Sequence, residues 1–388
     1  CKGVAKGNCL TKEQRLSLQM DEFMNRRYEF RYNTQIGEVE YRERFSFQFY
    51  FHPIDKRAQN SIMLDAQSEG IGVWDRDIDR YLHSNRVPIY NPLEEFLFHL
   101  PHWDGKDRIH ALANRVPCNN PHWELLFHRW FLNMVSHWRG VDKMHANSTS
   151  PILVGVQGTH KSTFCREMIP PALRAYYTDS IDFSQKRDAE LYLNRFALIN
   201  IDEFDQITLT QQGFLKHILQ KPVVNLRKPH GRSVLELQRY ASFIGTSNQK
   251  DLLTDPSGSR RFICIEVTGN IDTTQPIDYE QLYAQAMHEI YHGERYWFDS
   301  EDEQIMTENN REFEQTPAML QLFYQYFKAA QTKEEGEFLT PVEILNYLKK
   351  KSGISLSDNK VYHFGRLLQK CGITSKHTYK GTVYQVIK

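Results

Sequence analysis

Hydrophobic and polar positions alternate along this chain in two distinct rhythms. Four short apolar runs, Pro151–Val154, Phe196–Ile201, Tyr240–Thr246 and Phe262–Ile265, are bounded by polar or glycine-containing segments and read as buried strands of an α/β sheet. Ahead of them, Leu16, Met20, Phe23 and Met24 recur at helical spacing behind a capping box made by Thr11 and Gln14. Arg44–Phe51 alternates strictly and predicts a half-buried strand, so the region before the sheet is expected to be largely helical with at most one strand pair. Asn91 and Pro92 stand where a helix cap and first-turn proline belong, and His122–Gly140 predicts a longer, aromatic-rich helix. After residue 270, Asp278–His292 is amphipathic, with Leu282, Met287, Ile290 and Tyr291 available for packing, and a pair of helices is expected over 301–330. A charged linker at 332–338 leads to a helix from Thr340-Pro341 to Lys351, a second helix from about 358 to 370, and an alternating hairpin over 373–387 turning at Lys380-Gly381. That order is a winged-helix pattern.

The tips of the apolar runs carry the chemistry. Gly155-Val-Gln-Gly158-Thr159-His160-Lys161-Ser162-Thr163 follows the first run with the spacing of a phosphate-binding loop, except that His160 stands at the expected glycine. In such a loop, backbone N–H groups at a helix start cradle phosphates, Lys161 neutralises the outer ones, and Ser162 ligates magnesium. If residue 160 takes positive φ, histidine costs more than glycine there, which bears on phosphate geometry and hydrolysis but not on the fold. The second run ends in Asp202-Glu203, expected to hold the metal and to polarise an attacking water. The third leads to Asn248, a candidate sensor of the γ-phosphate, so Lys161, Asp202 and Asn248 are expected together outside the carboxyl ends of the strands. Arg260 and Arg261 precede the fourth run, and one of them is a candidate arginine finger acting on a neighbouring subunit's nucleotide.

In order and content these motifs, GVQGTHKST, LINIDEFD, FIGTSNQKDLLTD and SGSRRF, resemble the virulence-associated protein E family, whose core is similar to superfamily 3 helicases of the AAA+ class. The resemblance reaches upstream to Asn91-Pro-Leu-Glu-Glu-Phe-Leu and Trp103-Asp-Gly-Lys-Asp-Arg108-Ile, covering roughly residues 88–270. It implies an AAA+ or superfamily 3-type core using ATP and Mg2+, assembled as a ring, expected to be a hexamer. It also implies a DNA-contacting hairpin between the acidic strand and the sensor strand. Residues 222–237 read as strand, basic turn and strand, putting Arg227, Lys228, His230 and Arg232 at a tip that tracks the phosphates of single-stranded DNA in a ring channel. By the same analogy the helical region upstream is a collar promoting assembly. Four parts are expected: a mainly helical region over 1–145, the ATPase core over 146–300, a helical linker over 301–335, and a winged-helix domain over 336–388.

Composition narrows the rest. The 388 residues, 40% hydrophobic, suffice for a large core and two or three domains. Equal counts of 48 basic and 48 acidic residues require any DNA surface to come from local segregation of charge. Residues 340–388 supply one, with nine Lys or Arg against two acids; Lys360, His363, Arg366 and Lys370 recur along the second helix there, and Lys376 and Lys380 lie on the wing. Cysteines at 1, 9, 118, 165, 264 and 371 show no paired spacing, so reduced thiols of a cytoplasmic protein are expected. Cys118, His122, His128 and His137 lack a tight ligand pattern and are assigned to packing and capping. No run approaches the roughly eighteen apolar residues of a membrane span, and no charged-then-apolar leader is present. A first residue Cys1 in place of Met implies further residues upstream. The expected activity is an ATP-driven DNA helicase or translocase in replication, of a mobile element. The alternatives are a nucleotide-gated DNA-binding assembly, such as an origin or defence factor, and an ATP-driven remodeller of proteins.

Overall fold

The computed structural model describes residues 10–47, 49–140, 142–226, 235–253, 256–315, 318–330, 336–353, 361–379 and 381–388. Helix α1 (Lys12–Arg27) starts at the capping box of Thr11 and Gln14. It leads into β1 (Tyr28–Asn33) and β2 (Glu38–Glu43), followed by β3 (His52–Pro53), α2 (Lys56–Ser68), α3 (Asp75–Leu82) and β4 (Ile89–Tyr90). These strands form one sheet in the order β3-β2-β1-β4, so the region expected to be mainly helical carries a four-stranded sheet. The antiparallel β1–β2 pair is held by charge as well as by its ladder. Arg31 stands opposite Glu40 and Glu29 opposite Arg42, ion-paired at 2.6 and 2.7 Å. Phe23, Met24, Tyr28, Phe30, Ile62 and Tyr81 pack beneath it.

Among the described residues of 44–51 the expected strand is absent. β2 ends at Glu43 because its partner β1 begins at Tyr28, where α1 stops, so the chain beyond has no edge to pair with. Phe45 and Phe47 consequently stand 88% and 95% exposed in turns.

Next come α4 (Pro92–Phe98), α5 (Arg108–Ala113), α6 (Trp123–Arg139), β5 (Ser150–Val154), α7 (Lys161–Glu167), β6 (Tyr177–Thr178), α8 (Lys186–Arg195), β7 (Leu198–Ile201), α9 (Leu209–Leu219), β8 (Val223–Leu226), β9 (Leu235–Gln238), β10 (Ser242–Ser247), β11 (Phe262–Glu266), α10 (Tyr279–Tyr291) and α11 (Ser300–Asn309). Asn91 caps α4 as expected, and Gly140 ends α6 in a left-handed conformation. The four apolar runs become β5, β7, β10 and β11, and with β6 they form a parallel sheet in the order β11-β5-β10-β7-β6. α6 is buried around most of its surface, packed on α5, α10 and the sheet, and its Trp130 and Phe131 share a core with Leu153 and Phe164. Residues 91–140 therefore belong to the sheet's own core rather than to a separate region ending at 145.

α11 is part of this unit as well, not of a linker. Asn309 and Asn310, at its end, bond Cys264 and the carbonyls of Ser259 and Phe262, covering the free edge of β11 with side-chain amides. The chain divides into two compact units after Glu312, so the helical linker expected over 301–335 is split between them.

The second unit comprises α12 (Ala318–Tyr326), β12 (Lys328–Ala329), β13 (Glu337–Leu339), α13 (Pro341–Ser352), α14 (Val361–Lys370), β14 (Ser375–Thr378) and β15 (Gly381–Ile387). β15 pairs antiparallel with β12, β13 and β14 over a core that includes Phe323, Leu345, Phe364 and Leu368. Most of the linker expected over 332–338, together with Lys360 and Lys380, lies outside the described residues.

Candidate nucleotide site

Parallel pairing brings three strand tips level. Ser247 of β10 is beside Val154 of β5, and Gly245 is beside Ile201 of β7. The approach is close: a Cβ at Gly245 would meet Ile152 Cδ1 at 2.8 Å and the Ile201 carbonyl at 3.2 Å. The segments leaving these tips form the site at the carboxyl ends of the strands, where open α/β sheets bind ligands.

From β5 the chain enters the loop at Gly155, whose Cα lies so near the chain leaving β11 that a Cβ would stand 3.0 Å from the Val267 carbonyl. It turns through left-handed Gly158 (φ 88°) and left-handed His160 (φ 66°, ψ 21°) before α7 begins at Lys161. The site thus puts a histidine where the backbone favours glycine, at a cost of about 1–2 kcal/mol. Glu203 at the tip of β7 is left-handed too (φ 52°); among the described residues these are the two non-glycine residues with positive φ. Both stand in the same site, where backbone strain in proteins concentrates.

The Lys161 ammonium, on a side chain only 7% exposed, donates to the carbonyls of Gly155 and Val156 at 2.7 and 2.8 Å and to Asn248 Oδ1 at 3.3 Å. Burial lowers its pKa, while the nearby Asp202 carboxylate pulls the other way. Ser162 Oγ donates to Asp202 Oδ1 at 3.0 Å, and Thr246 Oγ1 donates to the same oxygen. The serine hydroxyl and the exposed carboxylate form an oxygen donor set that fits a hard divalent cation such as magnesium. The structure therefore brings Lys161, Ser162, Asp202 and Asn248 together, with Glu203 adjoining.

Three further residues of the site escaped the sequence reading. Asp205 accepts from Ser247 Oγ at 2.8 Å and from the Asn248 N–H at 3.4 Å, tying the turn after β7 to the tip of β10, and Thr246 shares Asp202. Asp205 closes the LINIDEFD motif, but only the pairing of β7 with β10 shows what its carboxylate reaches.

Arg260 and Arg261 are not at this end of the sheet. β11 runs parallel to β5 with Phe262 beside Ser150 and Glu266 beside Val154, so the two arginines lie at the amino-terminal edge, about 16 Å of strand from the loop. Arg260 pairs with Glu303 at 2.9 Å. Arg261 is half-buried, its pKa lowered chiefly by that burial, and the Gln220 amide oxygen, turned toward it, accepts from its guanidinium. This placement separates both arginines from Lys161 and Asp202 by the length of the strand. The hairpin β8–β9 is paired from Val223↔Gln238 to Leu226↔Leu235, and its expected tip residues Arg227, Lys228, His230 and Arg232 lie outside the described residues.

The histidines of α6 serve the fold. Buried His137 accepts the Asn147 N–H at its Nε2 at 2.8 Å, and His128 bonds Glu289 at 2.6 Å. Among the described residues no group of three or more His, Cys, Asp or Glu side chains is arranged to hold a metal, and no helix is long and apolar enough to cross a membrane.

Residues 97–315, more than half of the chain, match the virulence-associated protein E-like domain. The chain belongs to that family. Beyond this virulence-associated protein E-like domain, residues 316–386 match a domain of unknown function from B. Theta, DUF3874. The chain is similar to the apo structure of the NrS-1 C terminal region, with a TM-score of 0.48 and 12% identity over 97% of this chain and 99% of that one. An A-form apo structure of the same region gives 0.46 and 11% over 95% and 98%. No curated protein matches the chain.

Proposed function

We propose that this virulence-associated protein E-like chain is an ATPase of AAA+, superfamily 3 type that moves along or unwinds DNA in replication, as a ring, expected to be a hexamer. The observation that carries the proposal is the convergence of Lys161, the Ser162–Asp202 pair and Asn248 at one end of a parallel sheet ordered β11-β5-β10-β7-β6. Numbered among themselves these strands run 5-1-4-3-2, an order that supports an AAA+ core.

In this reading the backbone of Gly155–Thr163 and the Lys161 ammonium hold the phosphates of ATP, and Asn248 contacts the γ-phosphate. Glu203 orients the attacking water and takes its proton as the β–γ anhydride opens. A magnesium ion on Ser162 and Asp202 would supply neutralisation of phosphate charge. A groove of about 410 Å3 beside the loop, between Arg108–Pro117 and Asn270–Leu282, supports room for the nucleoside; its wall is tied to the loop by the Ile271 N–H donating to the Thr159 carbonyl at 3.1 Å. Arg260 or Arg261, remote from its own loop, is assigned to a neighbour's nucleotide across the ring.

Arg227, Lys228, His230 and Arg232 at the hairpin tip are assigned to single-stranded DNA. In the second unit the order helix, two short strands, two helices and β14–β15 hairpin supports a winged helix, with exposed Arg366 of α14, Lys360 and Lys380 meeting phosphates.

His160 favours a second reading, a nucleotide-gated DNA-binding assembly with little turnover, since a strained loop holds phosphate without the geometry for fast hydrolysis. ATPase measurements with and without single-stranded DNA separate the two. DNA-stimulated hydrolysis that is lost in Lys161→Ala is the expected result. ATP binding without turnover selects the second reading, and no binding of ATP removes both.

A further inference from the structure

A groove of about 740 Å3 is lined by none of the residues assigned above. It runs between α1 and α3, which pack on the N-terminal sheet. Its floor is apolar: Leu16 and Met20, four apart on one face of α1, and the buried ring of Tyr81. Its rim is cationic. Arg80 is held by Asp77 at 3.6 Å, and Arg86 by Asp21. Lys12 and Arg76, on opposite walls, are exposed, and no ion pair or side-chain hydrogen bond engages either ammonium or guanidinium among the described residues.

The carboxylates do not cancel this charge. Asp77 is committed to Arg80 and to the Trp74 N–H, which it accepts at 3.0 Å, leaving Glu13 beside Lys12 as the remaining acid of the lining. Trp74, the residue directly before α3, lines the same groove and is 62% exposed.

An exposed indole and two uncommitted cations lining one groove with an apolar floor match a repeating ligand of aromatic rings and phosphates. We propose that this groove binds single-stranded nucleic acid, with a base stacked on Trp74 and the flanking phosphates on Lys12 and Arg76. An acidic peptide meets the rim equally well but has no use for a flat exposed ring. The site goes beyond the ATPase reading: it lies in another part of the unit and needs no nucleotide hydrolysis.

The test uses the full chain and a fluorescent oligo-dT 20-mer, followed by anisotropy over a salt series. Trp74→Ala is expected to weaken binding about tenfold, within the range of base–aromatic stacking, with Trp74→Phe recovering most of it. Lys12→Glu combined with Arg76→Glu is expected to weaken it by tenfold or more and to reduce the slope of log K against log salt by roughly 1.4, the value for two phosphate contacts to a single strand. A 5-iododeoxyuridine oligonucleotide should cross-link to the peptide containing Trp74. All three substituted side chains are exposed, and thermal melting checks that the variants fold.

Unchanged affinity and slope in both variants together with cross-links only elsewhere would overturn the proposal. So would binding of dTMP as tight as that of the 20-mer, which marks a mononucleotide pocket. Because DNA binding is read without ATP, loss of binding in Trp74→Ala stands even if the wild-type chain hydrolyses nothing, and DNA-independent ATPase in these variants should equal wild type.

Discussion

Lys161 and Glu203 serve different halves of the proposed reaction, and substitution should separate them. Lys161→Ala removes the charge that neutralises the phosphates and is expected to abolish ATP hydrolysis. Glu203→Gln keeps the loop intact and is expected to bind ATP within about threefold of wild type while turnover falls at least 100-fold. Glu203→Gln turnover at the wild-type rate would remove Glu203 as the base. Asp205 acts a step further out, holding Ser247 and Asn248. Asp205→Ala should cut kcat about tenfold by letting Asn248 drift, with little change in nucleotide affinity, and Asp205→Asn, which keeps an acceptor, should recover most of it. For His160, the positive φ makes His160→Gly a relief of strain, offset by the greater freedom of glycine in the unfolded chain. Its Tm should shift by no more than a few degrees and turnover should hold or rise. A large loss of turnover would mean that the imidazole itself touches phosphate.

At the scale of elements, edges and ends decide the structure. Arg239, fully buried between β9 and β10, donates to the carbonyls of Ile218, Leu219 and Lys221 at the end of α9 and to those of Ala241 and Asn147. No carboxylate is among these partners, and burial pulls its pKa down to about 9. It joins the hairpin to the strand that carries Asn248, so Arg239→Met, which leaves these carbonyls unpaired, should destabilise the chain by about 3 kcal/mol in chemical denaturation. The hydrophobic alternation over 44–51 shows the limit of reading elements from pattern. Its period is that of a strand, yet its described residues form none because β1 is already used to its first residue. The β1–β2 ladder was the reverse case. Its alternation is diluted by Glu29, Arg31, Glu40 and Arg42, and becomes legible only when the charges are seen to face each other across the register.

Over the whole molecule, acid sensitivity and assembly provide two more tests. His137 is buried, and mainly for that reason its pKa is pushed down from 6.5 to about 3. Between those values the unfolded chain takes up a proton that the folded chain refuses, so stability falls as pH drops below about 6.5 and goes on falling toward pH 3. This one group contributes a slope of about 1.4 kcal/mol per pH unit. His137→Gln should flatten that part of the profile in denaturation measured from pH 7 to pH 4; an unchanged slope would assign it to other groups. In mixed rings, Lys161→Ala subunits that retain Arg261 should partly restore ATPase to Arg261→Ala subunits. Absence of rescue at any ratio, in rings shown to be mixed, would leave Arg260 and Arg261 with a role in their own subunit's fold.

What the sequence by itself determined is the chemistry carried by consecutive residues: the loop from Gly155 to Thr163, the acids after Ile201, the buried strands, and the caps at Thr11 and Asn91. Each is local, because a helix start or an apolar strand is specified by residues within a few positions of one another. Only the tertiary structure decided which side chains from different strands share an oxygen, as Ser162 and Thr246 share Asp202. It also decided that Arg260 and Arg261 stand at the far edge of the sheet, that α11 closes the edge of β11, and that Trp74, Lys12 and Arg76 line one groove. Those facts depend on strand order and register, which are set by competition among all the edges and apolar faces of the chain for partners.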